Sequence, residues 1–254
     1  MEDLSFGARS TISWRQETAA VIPCLNEVAT IERLVCQLKE QVDSVCVVDD
    51  GSHDGTAEAA LRSGAHVIRF SVPGGKGRAL RAGWRWAMEQ GLSWALCLDG
   101  DGQHVAEEIP RFFRIADKTG ALLVVGNRMG DAAKMPICRR LVNRWMSWRL
   151  SGVVGQALPD SQCGFRLMNL GAFSELSIAT GHFEIESEVL VAFSRASYRI
   201  EFVPVSVIYR TEKSKIRPIR DSIRWFRWLR LAEAPSTGTK SRVEFGAQPL
   251  IAEV

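Results

Sequence analysis

Several things are missing from this 254-residue chain, and each absence closes off a class of protein. No apolar run approaches the roughly eighteen residues that a helix needs to cross a bilayer, so no spanning segment is expected. Six cysteines stand at 24, 36, 46, 97, 138 and 163 without a single Cys-x-x-Cys pair. They read as small buried hydrophobes in a reducing compartment. Residues 1–17 carry Glu2, Asp3 and Arg9 but no apolar signal core, so secretion is not expected and the cytoplasm is. Excess charge is also missing. Thirty-two Lys and Arg against 29 Asp and Glu leave a net +3, too little to imply a nucleic-acid partner. What is present is an ordinary globular composition, 46% hydrophobic and 24% charged, enough to bury a large core as one domain or as one domain plus appendages.

Apolar runs alternate with amphipathic stretches through the first half of the chain. Strands are expected at Thr18 to Pro23, Val42 to Val48, Ala65 to Phe70, Trp94 to Leu98 and Ala121 to Val125. Helices are expected between them, the first with apolar positions Ile31, Leu34, Val35 and Leu38 at helical spacing. Such alternation means βαβ units, a parallel sheet and helices on both faces. Ligands then bind outside the carboxyl ends of the strands. Polar residues fall there after five successive strands: Leu25-Asn26-Glu27, Asp49-Asp50, Lys76, Asp99 with Asp101, and Asn127-Arg128.

The fourth of these turns, Leu96-Cys-Leu-Asp-Gly-Asp-Gly-Gln-His104, is the most informative. Carboxylates at i and i+2 of an extended segment point the same way and raise each other's pKa unless a cation lies between them. Hard oxygen ligands suit Mg²⁺ or Mn²⁺, with coordination left open for substrate phosphate. The plainer alternative is an acidic turn capping the helix that begins near Glu107.

Six segments together resemble the inverting nucleotide-sugar glycosyltransferases of family 2: Val21-Ile-Pro-Cys-Leu-Asn-Glu27, Val47-Val-Asp-Asp-Gly-Ser52, Gly75-Lys-Gly77, Asp99-Gly-Asp-Gly-Gln103, Gly126-Asn-Arg128 and Asp160-Ser-Gln-Cys-Gly-Phe-Arg166. Within that family the chain is most similar to the polyprenyl- and dolichyl-phosphate sugar synthases. The resemblance covers residues 18–215 and implies the GT-A fold, a Rossmann-like, mostly parallel sheet flanked by helices on both faces. It implies a GDP- or UDP-hexose donor held by Pro23, Leu25, Asn26, Glu27, Asp49, Asp50, Lys76 and Asp99. It also implies a Mg²⁺ or Mn²⁺ ion held by Asp99, Asp101 and Gln103. Asp101, Arg128, Asp160, Gln162 and Arg166 are the residues expected at the chemical step. A leaving diphosphate needs its charge neutralised, and Lys76, Arg128, Arg139, Arg140, Arg166, Arg210 and Lys213 are the candidate cations. Cys163 has no histidine partner and inversion needs no covalent enzyme intermediate, so a nucleophilic role is not expected. His104 is expected to finish the metal loop and His182 to pack beside Phe183.

The acceptor is the open question. A hydroxyl needs a base, and Asp160 stands where one is wanted; Glu184 or Glu186 are further candidates to line the acceptor site. An ionised phosphate monoester needs none. The C-terminal third favours a lipid. Eight basic residues lie between Arg210 and Arg230 against Glu212 and Asp221, and Arg217, Arg220, Arg224 and Arg227 form a helical stripe opposite Trp225, Phe226, Trp228 and Leu229. That is the pattern of a helix in a membrane interface; the alternative is a helix docked on the domain with its tryptophans buried. Leu141 to Leu158 is a second amphipathic stretch, for a lipid groove or for the core. The expected organisation is an extension at 1–17, a catalytic domain at 18–215, a basic amphipathic helix at 216–234 and a flexible tail at 235–254, with peripheral attachment to the inner membrane face. A polyprenyl phosphate or another membrane-surface acceptor is the expected partner. A transferase acting on a soluble or glycan hydroxyl, and an inactive nucleotide-binding module, are the alternatives.

Overall fold

The computed structural model describes residues 13–130, 135–208 and 218–233. The alternation read from the sequence is present. A short helix α1 (Trp14–Glu17) leads into β1 (Thr18–Cys24), α2 (Val28–Lys39), β2 (Ser44–Asp49), α3 (Thr56–Arg62), β3 (His66–Arg69), α4 (Lys76–Glu89) and β4 (Trp94–Cys97). A 3-10 turn (Ala106–Glu108) and α5 (Ile109–Thr119) precede β5 (Leu123–Asn127), and α6 (Ile137–Val154) follows. The chain continues through β6 (Arg166–Asn169), α7 (Leu170–Ser174), α8 (Ile185–Arg195), β7 (Ile200–Pro204) and α9 (Pro218–Glu233). Among the described residues no helix is long and apolar enough to cross a membrane.

The strands form one seven-stranded sheet in the order β3-β2-β1-β4-β6-β5-β7. All neighbouring pairs are parallel except the two made by β6, which runs antiparallel between β4 and β5. The chain builds outward from β1 to β3, then returns to place β4 on the other side of β1. That reversal opens a crevice at the carboxyl ends of β1 and β4, where ligands bind in open α/β sheets.

Burial explains the local choices. Residues 19–22 of β1 and 45–48 of β2 are all buried, as strands covered on both faces require. On α2 the apolar set Ile31, Leu34, Val35 and Leu38 is buried as one face. Phe112 of α5 is buried against Phe165, with ring centroids 4.3 Å apart. Four cysteines, 24, 46, 97 and 163, are buried. Trp14 stacks on Phe113 at 4.9 Å and meets Trp94 at 5.0 Å, so the chain immediately before β1 is anchored to the body.

The last helix differs from the membrane pattern read in its sequence. Trp225 and Leu229 are buried against the body, and Trp225 Nε1 donates to Ser187 Oγ at 3.1 Å. The aromatic side is therefore divided: Trp225, whose ring meets Trp145 of α6 at 5.7 Å, and Leu229 pack inward, while Phe226 stays exposed. Arg227 and Arg230 remain exposed.

α4 crosses the sheet at Gly83, where a Cβ would overlap Val21 Cγ1 and lie 3.2 Å from Val48 Cγ2. Two effects of Gly83→Ala oppose each other. Helix propensity favours alanine by about 1 kcal/mol, whereas overpacking a close helix–sheet contact costs about 1–3 kcal/mol. The expected net effect is a lower midpoint in urea-induced unfolding; a raised midpoint would contradict this packing.

Candidate active site

At the β1–β4 crevice the acidic turn comes close to the end of β1. Gly100 lies so near β1 that a Cβ would sit 2.5 Å from Cys24 Sγ. Thr30 of α2 donates to Gly100 O at 2.6 Å. Gly102 has φ of 65°, the left-handed region that glycine enters without strain. Between these turning points Asp101 Oδ1 accepts from Gln103 N at 3.0 Å, and Gln103 O accepts from Ile208 N at 3.0 Å. The acidic turn is thus pinned at both glycines and on both flanks.

Lys76, the first residue of α4, enters the same space. Its Nζ lies 2.5 Å from Asp99 Oδ1 and 2.7 Å from Glu186 Oε1 of α8. Burial works against the charged lysine, but the two carboxylates outweigh it and hold Lys76 above its usual pKa. The converse holds for Asp99: burial raises its pKa, and Lys76, helped by His104, brings it well below the carboxylate range. Asp101 is moved the other way, first by burial and then by the charge of Asp99. A pair so divided is short of positive charge.

A small cradle faces this cluster. A Cβ on Gly164 would lie 2.8 Å from Asp99 Oδ2 and 3.0 Å from both Glu186 Oε1 and Lys76 Nζ. Among the described residues no three His, Cys, Asp or Glu side chains converge as a metal cage. Two carboxylates that leave most coordination to substrate phosphate still suit Mg²⁺ or Mn²⁺. His104 Nε2 is 3.7 Å from Asp99 Oδ2, its ring lies against Phe165, and its buried Nδ1 meets no hydrogen-bond partner.

On the β1 and β2 side the nucleotide candidates are held in a mesh of turns. Asn26, at φ 54°, donates its N–H to Ser52 Oγ and accepts from His53 N on Oδ1. Glu27 N donates to Thr56 Oγ1 at 2.8 Å. Pro23 and Leu25 are half-buried. Asp49 accepts from Ser52 N on Oδ1; its buried Oδ2 has no hydrogen bond and lies 3.4 Å from Arg69 Nε. Both oxygens of Asp50 accept backbone N–H groups, from Gly74 at 2.8 Å and Gly75 at 2.7 Å. Asp50 therefore shapes the Gly74-Gly75 loop. The ring of His182 leans over Gly75, where a Cβ would meet its Nδ1.

The β5 end supplies the remaining candidates. Asp160 is fully buried and takes four hydrogen bonds: from Arg128 N, Nε and Nη2, and from Gln162 N. Gln162 Nε2 donates to Ser161 Oγ and Ser187 Oγ. Arg166 turns inward, with Nε on Cys163 O at 2.7 Å, Nη1 on Glu186 O at 2.5 Å and Nη2 on Ser161 O at 2.8 Å. It knits the 161–166 turn to α8. Burial pushes the Cys163 thiol up to about 12, so it stays protonated and is no nucleophile. Arg139 and Arg140 are half-buried on α6; Arg210 and Lys213 lie outside the described residues.

Glu186 is the residue that spacing alone left undecided. The sequence marks it as one of three acids in Glu184-Ile-Glu-Ser-Glu188, and the structure separates them. Glu188 accepts from Ala179 N, Thr180 N and Thr180 Oγ1 and ties down the preceding loop. Glu184 is buried, its Oε2 without a hydrogen bond. Only Glu186 reaches Lys76.

Comparison with known proteins gives a consistent picture. The model of Glycosyl transferase family 2 matches residues 19–177. The undecaprenyl-phosphate mannosyltransferase of Micrococcus luteus is 30% identical over 75% of this chain and 83% of its own length. The UDP-N-acetylglucosamine–dolichyl-phosphate N-acetylglucosaminyltransferase of Methanococcus voltae is 28% identical over 78% of this chain and 87% of its own. Among solved structures, glucosyl-3-phosphoglycerate synthase from Mycobacterium tuberculosis, in complex with Mn²⁺, UDP-glucose and phosphoglyceric acid, superposes with a TM-score of 0.65. It is 22% identical, over 92% of this chain and 89% of that one, a likeness of fold.

Removing the central cation should expose what it offsets. Lys76→Met leaves Asp99 and Glu186 facing each other with little water between them. Breaking a buried pair costs about 3–5 kcal/mol; because Asp99 is one-third exposed, a loss of about 2–3 kcal/mol is expected at neutral pH. The sign with pH follows from the depressed pKa of Asp99. Its contribution is present above the unfolded carboxylate value and fades as pH falls toward the folded one. The stability gap between wild type and variant, measured by urea unfolding from pH 7 to pH 3, should therefore narrow on acidification. Lys76→Met/Glu186→Gln should recover part of it. A gap that widens in acid would refute the charge assignment.

Proposed function

This chain belongs to glycosyl transferase family 2 and is a nucleotide-sugar-dependent transferase; from that premise we propose that it moves a hexose from a GDP- or UDP-sugar to a polyprenyl phosphate. The observation that carries the choice of acceptor is the state of Asp160. A base must have a free lone pair within reach of the proton it removes, and Asp160 is buried with four donors already on it. Glu186 is occupied by Lys76. An acceptor ionised near neutral pH, as a phosphate monoester is, requires neither. The relatives named for undecaprenyl and dolichyl phosphate acceptors support the same choice.

In this reading the nucleotide lies over Pro23, Leu25, Asn26 and Glu27. Asp49 Oδ2, without a hydrogen bond of its own, accepts from the base, and Asp50 holds the Gly74-Gly75 loop that borders the donor. Asp99 and Asp101, with Gln103, would hold Mg²⁺ or Mn²⁺, which when bound neutralises charge on the leaving diphosphate. Lys76 keeps Asp99 ionised. Arg128, clamped by Asp160, presents a fixed guanidinium to the acceptor phosphate. Gln162 and Arg166 hold the turn that carries this clamp. The acceptor oxygen attacks the anomeric carbon opposite the leaving diphosphate, and inversion follows.

The test is a panel. Purified protein is incubated with Mn²⁺ or Mg²⁺, radiolabelled UDP- and GDP-hexoses and a short-chain polyprenyl phosphate, and label is counted in the organic phase. One donor is expected to deliver label, and Asp101→Ala is expected to reduce it by about 10²-fold or more, as losing a charge-stabilising group does. Donor turnover with an empty organic phase would overturn the lipid acceptor.

A further inference from the structure

α6 packs a mixed face on the body and turns a largely apolar one away from it. Its inner face buries Asn143, Ser147 and Leu150. Ser147 Oγ accepts from Ser161 N at 2.9 Å and meets Ser161 Oγ at 3.1 Å. That contact braces the turn beside the Arg128–Asp160 clamp. The outer face carries Ile137, Leu141, Trp145 and Trp148, at steps of four, four and three residues, which makes one stripe along the helix. Leu141 is 59% exposed and Trp148 67%. Ile223 and the ring of Phe226 on α9, 5.4 Å from Trp145, extend the patch.

Charge indicates what covers it. Arg144 borders the stripe on one side and is exposed; Arg149, on the other, is already paired with Glu233 of α9, and α6 itself contains no acidic residue. A second copy laid on this face would bring another Arg144 to a helix that has no carboxylate of its own to pair it. An anionic bilayer complements both features: apolar side chains enter the acyl boundary and the exposed Arg144 guanidinium meets a lipid phosphate, worth about 1 kcal/mol near such a surface. We propose that the outer face of α6, with Ile223 and Phe226, is the surface by which this protein docks on an anionic lipid bilayer. Docking there sets the clamp about one helix diameter, roughly 10 Å, from the membrane surface. The inference rests on the lipid-phosphate reading of the acceptor, and two separate readouts distinguish their failures.

The experiment is flotation of the full chain with vesicles of phosphatidylcholine alone or mixed with phosphatidylglycerol, without donor or acceptor. Wild type is expected to float with the anionic vesicles. Leu141→Glu/Trp148→Glu is expected to bind at least 10-fold less, with unchanged circular dichroism and melting temperature; Leu141→Ser/Trp148→Ser gives the same comparison with a milder change. Arg144→Glu is expected to weaken binding and flatten its salt dependence. Wild type that stays unbound, or stripe variants that float as wild type does, would overturn the proposal. So would a wild-type dimer that the stripe variants convert to monomer with vesicle binding intact. Transfer to a detergent-dispersed short-chain polyprenyl phosphate is read separately. If it fails while flotation persists, the acceptor reading falls and the docking surface stands.

Discussion

A single buried ammonium group ties together three parts of the chain that are remote in sequence. Lys76 begins α4, Asp99 lies in the turn after β4 and Glu186 is in the first turn of α8, and the two carboxylates lie 2.5 and 2.7 Å from its Nζ. Burying one charge without the others would be costly, so the helices and the acidic turn must arrive together. Gly164 admits this crowding because a Cβ there would press on all three groups. The cluster sits where the order of the strands reverses, so the charge that the fold needs for consistency is also placed where a charged donor would bind.

A second ion pair sets the other side of the crevice. Arg128 grips Asp160 with one edge of its guanidinium, through Nε and Nη2, and with its own backbone N–H, while Arg166 fastens the following turn to α8 through carbonyl oxygens. Acids and bases in this region are matched to one another. Such an arrangement positions charge well and leaves little free basicity, which suits a nucleophile that arrives ionised. The helix bracing this turn from outside is α6, so one element links the clamp to the exposed apolar stripe.

Much of this was legible in the amino-acid sequence, and what was not has identifiable physical causes. The near-continuous apolar runs of β1, β2 and β4 and the three-four spacing on α2 specify the layers and the cleft at the strand ends. The antiparallel course of β6 is not legible, since a strand of four residues, Arg166–Asn169, carries no direction. The role of Arg166 is hidden for a similar reason: arginine in a motif looks alike whether its donors face a ligand or carbonyl oxygens. Asp160 reads as a free base until Arg128, thirty-two residues away, is seen beside it. Glu186 could not be told from Glu184 and Glu188, because helix phase fixes faces and not what packs on them. On α9 the basic stripe and aromatic side look like a membrane helix, but Trp225 and Leu229 find a buried place on the body, while the apolar stripe of α6 does not show from sequence that it faces outward, because the residues buried on its inner face include the polar Asn143 and Ser147.

The central claim is that the nucleophile is a phosphate oxygen. Phosphorus-31 NMR of the protein with its donor, a divalent cation and a short-chain polyprenyl phosphate tests it most directly. The acceptor's monoester signal is expected to be replaced by that of a sugar-bearing phosphodiester as nucleoside diphosphate accumulates. Release of nucleoside diphosphate with the monoester signal unchanged, and the sugar found on a hydroxyl, would contradict it.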